Sequence, residues 1–393
     1  MNALQELISR PATQQEALGC VHTVSEMARQ PAVWRKTAAI VSGAFQDLTG
    51  FLGSTDRVLL TGAGSSYYAA ASVAPLLRGT FRVAEAIPST EVLMDPDSSF
   101  PREAFLLVSL ARSGDSPEGN AVYRLAGETR RGLVKQLVIT CNPDGELARL
   151  AVAEGPLGYR LLLPPETNDR GLAMTSSFTS LTIAAYALGF LGAPEAYVAA
   201  VEGLISGGER LLAEGSSLAR TLAETRPGRL FYLASRPFVG GALEAHLKVQ
   251  EMSAGLVVAK AEDTLGFRHG FMAAVDSSSM IAVALSHDPC RRAYEVDLLR
   301  EIRQKGIGRK IVVITGGEAR LPPGAADLAD ASFDYGEAPV TDSVKAPLVA
   351  VTGQLLGLFI SLGAGLQPDN PSPRGVINRV VQGVRIHPRG ARA

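Results

Sequence analysis

The chain has 393 residues, 46% of them hydrophobic and 20% charged, so it can bury a large core and is too long for one ordinary domain. Its 38 basic and 39 acidic side chains nearly balance, which excludes the basic excess that nucleic-acid backbones require. We therefore predict two α/β domains and no nucleic-acid partner.

The N-terminus and the cysteines indicate a cytoplasmic protein. The N-terminal stretch has the pattern of a polar amphipathic helix, without the basic region and apolar core of a signal peptide. Cys20, Cys141 and Cys290 are odd in number and lack C-x-x-C spacing, which fits a reducing compartment.

Short apolar runs that end in small or polar residues recur in two sets, and each run predicts a strand. The sets are Arg57–Ser66, Ala104–Ser116 and Lys135–Ala148, then Arg229–Phe238, Met280–Pro289 and Lys310–Ala319. Corresponding runs lie roughly 175 residues apart, an interval typical of a duplicated α/β domain.

The fold class predicted from these runs is α/β, because continuous apolar runs separated by helical patterns indicate parallel strands covered on both faces. We expect two tandem domains, each a parallel sheet between helix layers in a three-layer αβα, flavodoxin-like arrangement. We place a helical segment at 1–45, packed around the first half, the domains at 46–205 and 206–370, and a tail at 371–393.

The stretch Thr61–Ala70, TGAGSSYYAA, follows the first predicted strand and opens a helix. Its backbone N–H groups and the hydroxyls of Ser65 and Ser66 can hold a phosphate, helped by the helix dipole. A dinucleotide fits poorly, because Tyr67 replaces the third glycine of G-x-G-x-x-G. A plain strand-to-helix cap explains the same residues about equally well.

The next predicted strand ends in LARSGDSPE, which places Arg112, Ser113 and Ser116 beside the first turn. A hydroxyl-lined pocket with a single arginine suits a monophosphate dianion. A helix cap from this turn is compatible with ligand binding. Thr167–Ser180 then adds more hydroxyls than one N-cap needs.

The second half carries the titratable groups. Glu244, Lys248 and Glu251 are spaced i, i+4 and i+7, which puts them on one helix face. A surface row of ion pairs explains the same spacing, and the spacing alone favours it. His269 lies in a predicted loop, where a histidine is suited to carrying protons near neutral pH.

Neither a metal nor a membrane is predicted. The remaining histidines, at 22, 246, 287 and 387, show no spacing with Cys, Asp or Glu that makes a zinc site. Ala346–Leu366 carries no charge over a length that could cross a bilayer. Its glycines and the polar residues Thr352, Gln354 and Ser361 favour a buried helix between two packed layers instead.

The motifs occur together and in the order found in a known family. The stretches GAGSSYYAA, ARSGDSPE, AMTSSFTS, LKVQEMSAG and GFRHG resemble the sugar isomerase (SIS) domain family in its two-domain form. The closing run QPDNPSPRGVINRVVQGV is similar to the tagatose-6-phosphate ketose/aldose isomerase group, whose members are also described as galactosamine-6-phosphate deaminase/isomerases. The resemblance covers nearly the whole chain.

This resemblance implies a substrate site in the first half. The implied phosphate site is formed by Ser65, Ser66, Ser113 and Ser116, with Arg112 beside it and Thr175 near the sugar.

It also implies catalytic roles in the second half. By similarity with the isomerase half of glucosamine-6-phosphate synthase, Glu251 is the base that moves a proton between C1 and C2. Lys248 is then the nearby cation and His269 the ring-opening group. In that relative the histidine comes from the neighbouring subunit, which implies a homodimer or larger homo-oligomer with sites at the subunit interface. No cofactor is implied.

Two departures from that relative narrow the chemistry. The chain has no N-terminal Cys-led glutaminase domain, so glutamine-driven amination is not expected. Arg379 stands where the synthase carries its Schiff-base lysine, and arginine cannot form an imine at neutral pH.

We therefore expect an isomerase/deaminase that converts galactosamine 6-phosphate to tagatose 6-phosphate and ammonia by proton transfer between C2 and C1. One alternative is a deglycase or deaminase acting on glucosamine 6-phosphate or on a phosphorylated amino-acid adduct. Another is a non-catalytic sugar-phosphate sensor, which would not need Glu251, Lys248 and His269 together.

Overall fold

The computed structural model describes residues 1–372, 374–381 and 383–387. The chain begins with the helices α1 (Ala3–Ile8), α2 (Ala12–Leu18), α3 (Val21–Ala28) and α4 (Gln30–Leu52). Two parallel sheets follow, one in each half of the chain.

The first sheet has the strand order β2-β1-β3-β4-β5 and all of its strands are parallel. Its elements are β1 (Arg57–Gly62), α5 (Ser65–Leu77), β2 (Val83–Pro88), α6 (Ser89–Met94), α7 (Pro96–Ser99), β3 (Phe105–Ala111), α8 (Pro117–Thr129), β4 (Val134–Thr140), α9 (Glu146–Ala153) and β5 (Gly158–Leu162). Helices α10 (Ser176–Tyr186) and α11 (Pro194–Arg210) follow it.

The second sheet repeats this order as β7-β6-β8-β9-β10, again with parallel strands. Its elements are α12 (Ser216–Glu224), β6 (Arg229–Leu233), α13 (Val239–Met252), β7 (Val258–Glu262), β8 (Ser279–Ala284), α14 (Pro289–Lys305), β9 (Lys310–Thr315), β10 (Ala331–Asp334) and α15 (Ala346–Gly363). The shared order confirms the predicted duplication and the α/β fold class.

Helix α13 connects the two halves, because it packs between α5 of the first half and α15 of the second. Small residues allow this approach. A Cβ at Gly240 would lie 2.3 Å from the hydroxyl oxygen of Ser72 on α5, and one at Gly353 on α15 would lie 2.3 Å from Cα of Ala245. A larger residue at either position would push α13 away from its neighbour.

Helix α15 is the uncharged segment that resembles a membrane span in length and composition. Every residue from Ala346 to Ser361 is buried within the protein. This confirms the prediction of a core helix between packed layers.

The N-terminal helices pack more widely than expected. The indole N–H of Trp34 donates to the hydroxyl oxygen of Thr179 in the first half, at 2.8 Å. The side-chain amide of Gln30 donates to that of Gln354 on α15, also at 2.8 Å. The segment therefore contacts both halves, and not only the first.

The predicted domain boundaries stay a prediction. Position 45 falls within α4 and position 205 falls within α11, so neither lies in a loop.

Candidate active site

The serine turn after β1 has a backbone that requires glycine. Gly64, the residue before α5, has φ 55° and ψ −126°, and a Cβ at Gly62 would lie 2.7 Å from the carbonyl carbon of Ser66. Ser65 and Ser66 are 5% and 6% exposed, and no side chain caps α5. The simple capping explanation for these hydroxyls is therefore wrong.

The turn after β3 uses its polar groups in two ways. Ser116 precedes α8 without capping it, and its hydroxyl donates to Oε2 of Glu118 at 2.9 Å. Asp115 caps a different helix, since its Oδ1 accepts from the backbone N–H of Glu146 in α9 at 3.0 Å. Ser113 and Ser116 therefore lie beside the first turn, and neither side chain caps α8.

A cavity of about 120 Å³ lies between these two turns. Ser66, Arg112, Ser113 and Ser116 all line it. Ser65 instead faces the second half, as described below, and Thr175 is absent from the cavity lining although its neighbour Met174 contributes to it.

Arg112 is 6% exposed and its guanidinium is held by backbone carbonyls. Nη1 donates to the carbonyl of Leu172 at 3.1 Å, and Nη2 donates to the carbonyl of Arg379 in the tail. Burial lowers the pKa of Arg112, and the positive charge of Arg379 lowers it further. The group therefore lines the cavity and also ties two chain segments together.

Asp169 organises the loop that carries Thr175. Its Oδ2 accepts from the backbone N–H groups of Thr175 and Ser177, both at 2.8 Å, and from the hydroxyl of Ser177 at 2.6 Å. Thr175 is fully buried, and within the described residues its hydroxyl oxygen has no hydrogen-bond partner. Asp169 was not among the predicted site residues, although the TND triplet before a hydroxyl-rich helix start indicates a residue of this kind.

The acidic face of α13 is buried. Nζ of Lys248 lies 3.2 Å from Oε1 of Glu244 and 2.5 Å from Oε2 of Glu251. The side chains of Lys248 and Glu244 are 0% exposed and that of Glu251 is 22% exposed. The alternative of a surface ion-pair row is therefore wrong.

Lys248 also joins the two halves, since its ammonium donates to the hydroxyl oxygen of Ser65 at 3.0 Å. The spacing of the α13 residues carried no sign of this contact. The partly exposed Glu251 is therefore linked to the serine turn through Lys248, which pairs with Glu251 and bonds to Ser65.

Burial raises the pKa of Glu244 to about 7, against the opposing effect of Lys248. For Lys248, burial acts to lower the pKa, but the charges of Glu244 and Glu251 outweigh it and the pKa is raised. The raised pKa of Lys248 favours its charged form, and the raised pKa of Glu244 favours its protonated form.

His269 lies apart from these groups. It is exposed in the loop after β7, with its backbone N–H bonded to the carbonyl of Gly266 at 2.8 Å. Across the described residues of this chain, no hydrogen bond or ion pair joins its ring to the cavity or to α13.

The chain is a duplicated α/β protein, because its two parallel sheets share one strand order. A polar cavity lies at the strand ends of the first sheet, and the buried cluster of Glu244 and Lys248 lies beside the serine turn. The SIS domain family matches residues 51–190. A Streptomyces coelicolor protein named "Putative D-galactosamine-6-phosphate deaminase AgaS" is 40% identical over 93% of this chain and 95% of its own.

Two further relatives cover most of the chain. The Escherichia coli D-galactosamine-6-phosphate deaminase AgaS is 33% identical over 93% of this chain and 95% of its own. The crystal structure of tagatose-6-phosphate ketose/aldose isomerase from Escherichia coli matches with a TM-score of 0.81 and 30% identity, over 94% of this chain and 97% of that one. The chain belongs to the SIS domain family.

Proposed function

We propose that this protein is a deaminating aldose–ketose isomerase that converts galactosamine 6-phosphate and water to tagatose 6-phosphate and ammonia. The relatives that carry these names are similar over nearly the full chain. The soluble core fold and the free cysteines agree with a cytoplasmic location.

One observation carries the proposal: the bond between Lys248 and Ser65, which joins the acidic helix of the second half to the serine turn of the first. It brings a group suited to proton transfer and a cavity suited to a phosphate into one region. A sugar phosphate spans that distance with its two ends, since the phosphate is on C6 and the reacting carbons are C1 and C2.

The phosphate end binds in the serine cavity. Hydroxyls of Ser66, Ser113 and Ser116 supply hydrogen bonds, and Arg112 supplies positive charge in the cavity wall. We assign Ser65, which bonds to Lys248, and the buried Thr175 to the sugar end of the substrate. The binding energy of the phosphate holds C1 and C2 beside Glu251 and so lowers the barrier of the chemical step.

The proton transfer is assigned to Glu251, the exposed member of the acidic face. It removes the proton from C2 of the open-chain aldehyde and returns it to C1 through an enolamine. Lys248 stabilises the negative charge that develops on oxygen. The product is a ketimine at C2, to which water adds before ammonia leaves and the C2 ketone forms.

Ring opening is assigned to His269 of a neighbouring subunit. Its exposed position in the loop after β7 suits a group that reaches into the site of another copy. The active form is therefore a homodimer or a larger homo-oligomer with sites at the interface.

The test is ammonia release from galactosamine 6-phosphate, glucosamine 6-phosphate and their N-acetyl forms, measured side by side. We expect turnover of galactosamine 6-phosphate with tagatose 6-phosphate as the second product. Glu251→Gln should lower kcat by about a thousandfold or more, because one carboxylate performs both transfers.

The control is Glu209→Gln, which changes an exposed glutamate of α11 far from the site in sequence and should leave the rate unchanged. Wild-type rates in Glu251→Gln would refute the assignment of the base. Binding of the sugar phosphate without turnover of any of the four compounds would indicate a sensor instead.

A further inference from the structure

The tail at residues 379–381 forms part of the wall of the serine cavity. Arg379, Val380 and Val381 line the cavity together with Ser66 and Ser113. Most of the tail is exposed around them, with Val376 at 74% and Val381 at 55%. Residues 379–381, which we call the strap, therefore form a thin wall of the cavity and are not part of the packed core.

Hydrogen bonds at Arg379 fasten this strap. Its Nε donates to the carbonyl of Asp169 at 2.8 Å, and its Nη2 donates to the side-chain oxygen of Asn168 at 2.7 Å. Its own carbonyl accepts from Arg112. Within the described part of residues 378–387, every hydrogen bond involves Arg379.

Neither arginine has a carboxylate in direct contact. Both guanidinium groups are paired with carbonyl or amide oxygens, and among the described residues neither has a carboxylate oxygen within 4.0 Å. Arg112 is nearly fully buried, and the carboxylates of Asp169 and Glu251 act on it only from farther away. A phosphate dianion in the adjoining cavity would add negative charge next to both guanidinium groups.

The cavity is also small. Its volume of about 120 Å³ is well below the roughly 300–1,000 Å³ of pockets that enclose a whole small molecule. It suits a phosphate group with the sugar outside it, and the strap is the wall beside that group.

We propose that Arg379 is a positioning residue that closes the strap over the phosphate, and that the phosphate strengthens this closure by neutralising Arg112 and Arg379. The inference rests on the phosphate site of the proposed function. It adds a ligand-dependent wall that is fastened by the side chains of Arg379 and Arg112.

The experiment is hydrogen–deuterium exchange of the tail amides, with inorganic phosphate as the probe. In the wild-type protein, phosphate at concentrations that inhibit ammonia release should slow exchange at 379–381 by about tenfold, because exchange follows local opening. Arg379→Ala should show no such slowing. Arg379→Lys should show part of it, since lysine keeps the charge but loses the planar fork.

The matched control is Arg385→Ala, which removes an exposed arginine of the same tail and should behave as wild type. In kinetics, Arg379→Ala should raise the KM for galactosamine 6-phosphate by about tenfold, with a smaller fall in kcat, because charge-assisted hydrogen bonds in the closed form are lost.

Equal protection by phosphate in the wild type and in Arg379→Ala would overturn the proposal, and so would the absence of protection or of inhibition in the wild type. The exchange measurement needs no turnover, and Glu251→Gln should show the wild-type response. The exchange measurement can therefore refute the proposed role of Arg379 independently of whether Glu251 is the catalytic base.

Discussion

The strand ends of the two sheets differ although the sheets share one order. In the first half, the turns after β1 and β3 leave a cavity lined by serine hydroxyls. In the second half, the matching region after β8 is filled by the carboxylate of Asp342, which is 7% exposed. One half offers a place for an external anion, and the other holds an anion of its own.

The donors around Asp342 are of the kinds that bind a free oxyanion. They are the hydroxyl of Ser286, the backbone N–H and ring Nδ1 of His287 at 3.0 Å each, Nη2 of Arg291 at 3.0 Å and Nζ of Lys345 at 2.8 Å. Burial alone would raise the pKa of Asp342, but the bond from His287 and the charge of Lys345 outweigh it and hold the pKa far below its usual range.

The duplicated sheets thus place polar turns at matching strand ends, and the two halves differ in what lies between them. In the second half, Asp342 joins the loop before α15 to the end of β8. In the first half, a cavity lies between the turns, and helix α13 contacts the serine turn through Lys248.

Among the variants that test this comparison of the two halves, the largest effect is expected from Lys248→Met, which breaks the contact between them. It should lower ammonia release by about a hundredfold or more, and the free energy of unfolding by about 3–5 kcal/mol, because the buried Glu244 and the partly exposed Glu251 lose their cation. Lys305→Met is the matched control, since Lys305 has the same i, i+4 relation to Glu301 at 2.6 Å but is 51% exposed.

Urea unfolding and the ammonia assay check this prediction together. Lys305→Met should change both quantities little. A Lys248→Met protein as stable and as active as that control would show that the buried contact does not join a working site.

The next effect concerns the internal anion. Asp342→Ala should lower the free energy of unfolding by about 3 kcal/mol, because Lys345 and the other buried donors lose their partner. Acetate or phosphate should restore part of that stability in the variant only. Asp297→Ala, which removes an exposed partner of Arg300, is the control.

The pH dependence of this effect has a definite sign. The pKa of Asp342 is depressed in the folded protein, so its contribution is present above its unfolded pKa, about 3.8, and is lost as the pH falls further. A difference between wild type and variant that grows on acidification would contradict the assignment.

A smaller effect concerns Glu244, whose pKa is raised from 4.5 to about 7. A raised pKa means that the favourable contribution is complete below pH 4.5 and is lost as the pH rises through 7. Between pH 5 and 8, wild type should therefore lose roughly 2–3 kcal/mol of unfolding free energy relative to Glu244→Gln. Thermal and urea unfolding across this range check it.

Glu209→Gln, at an exposed position, should show no pH-dependent difference from wild type over the same range. A constant difference between wild type and Glu244→Gln would mean that Glu244 is not the group that titrates.

Much of the architecture followed from the sequence, because buried parallel strands give continuous apolar runs and their polar ends mark the ligand edge. The serines at 66, 113 and 116 were found in this way. The spacing of Glu244, Lys248 and Glu251 gave their shared face, but not its burial, which depends on how closely Gly353 lets α15 approach.

Long-range contacts were not readable from local patterns. Nothing near Ser65 predicts its bond to Lys248, 183 positions away in the chain. The carbonyls that accept hydrogen bonds from Arg112 belong to Leu172 in a loop and to Arg379 in the tail. Their positions depend on the whole fold. The role proposed for His269 requires a second subunit, which no local sequence pattern specifies.

The most direct test is a crystal structure of Glu251→Gln with galactosamine 6-phosphate bound. We predict the phosphate within hydrogen-bond distance of Ser66, Ser113 and Ser116, and C2 of the same sugar beside residue 251. A sugar phosphate bound with its phosphate outside this cavity, or with C2 far from α13, would contradict the account.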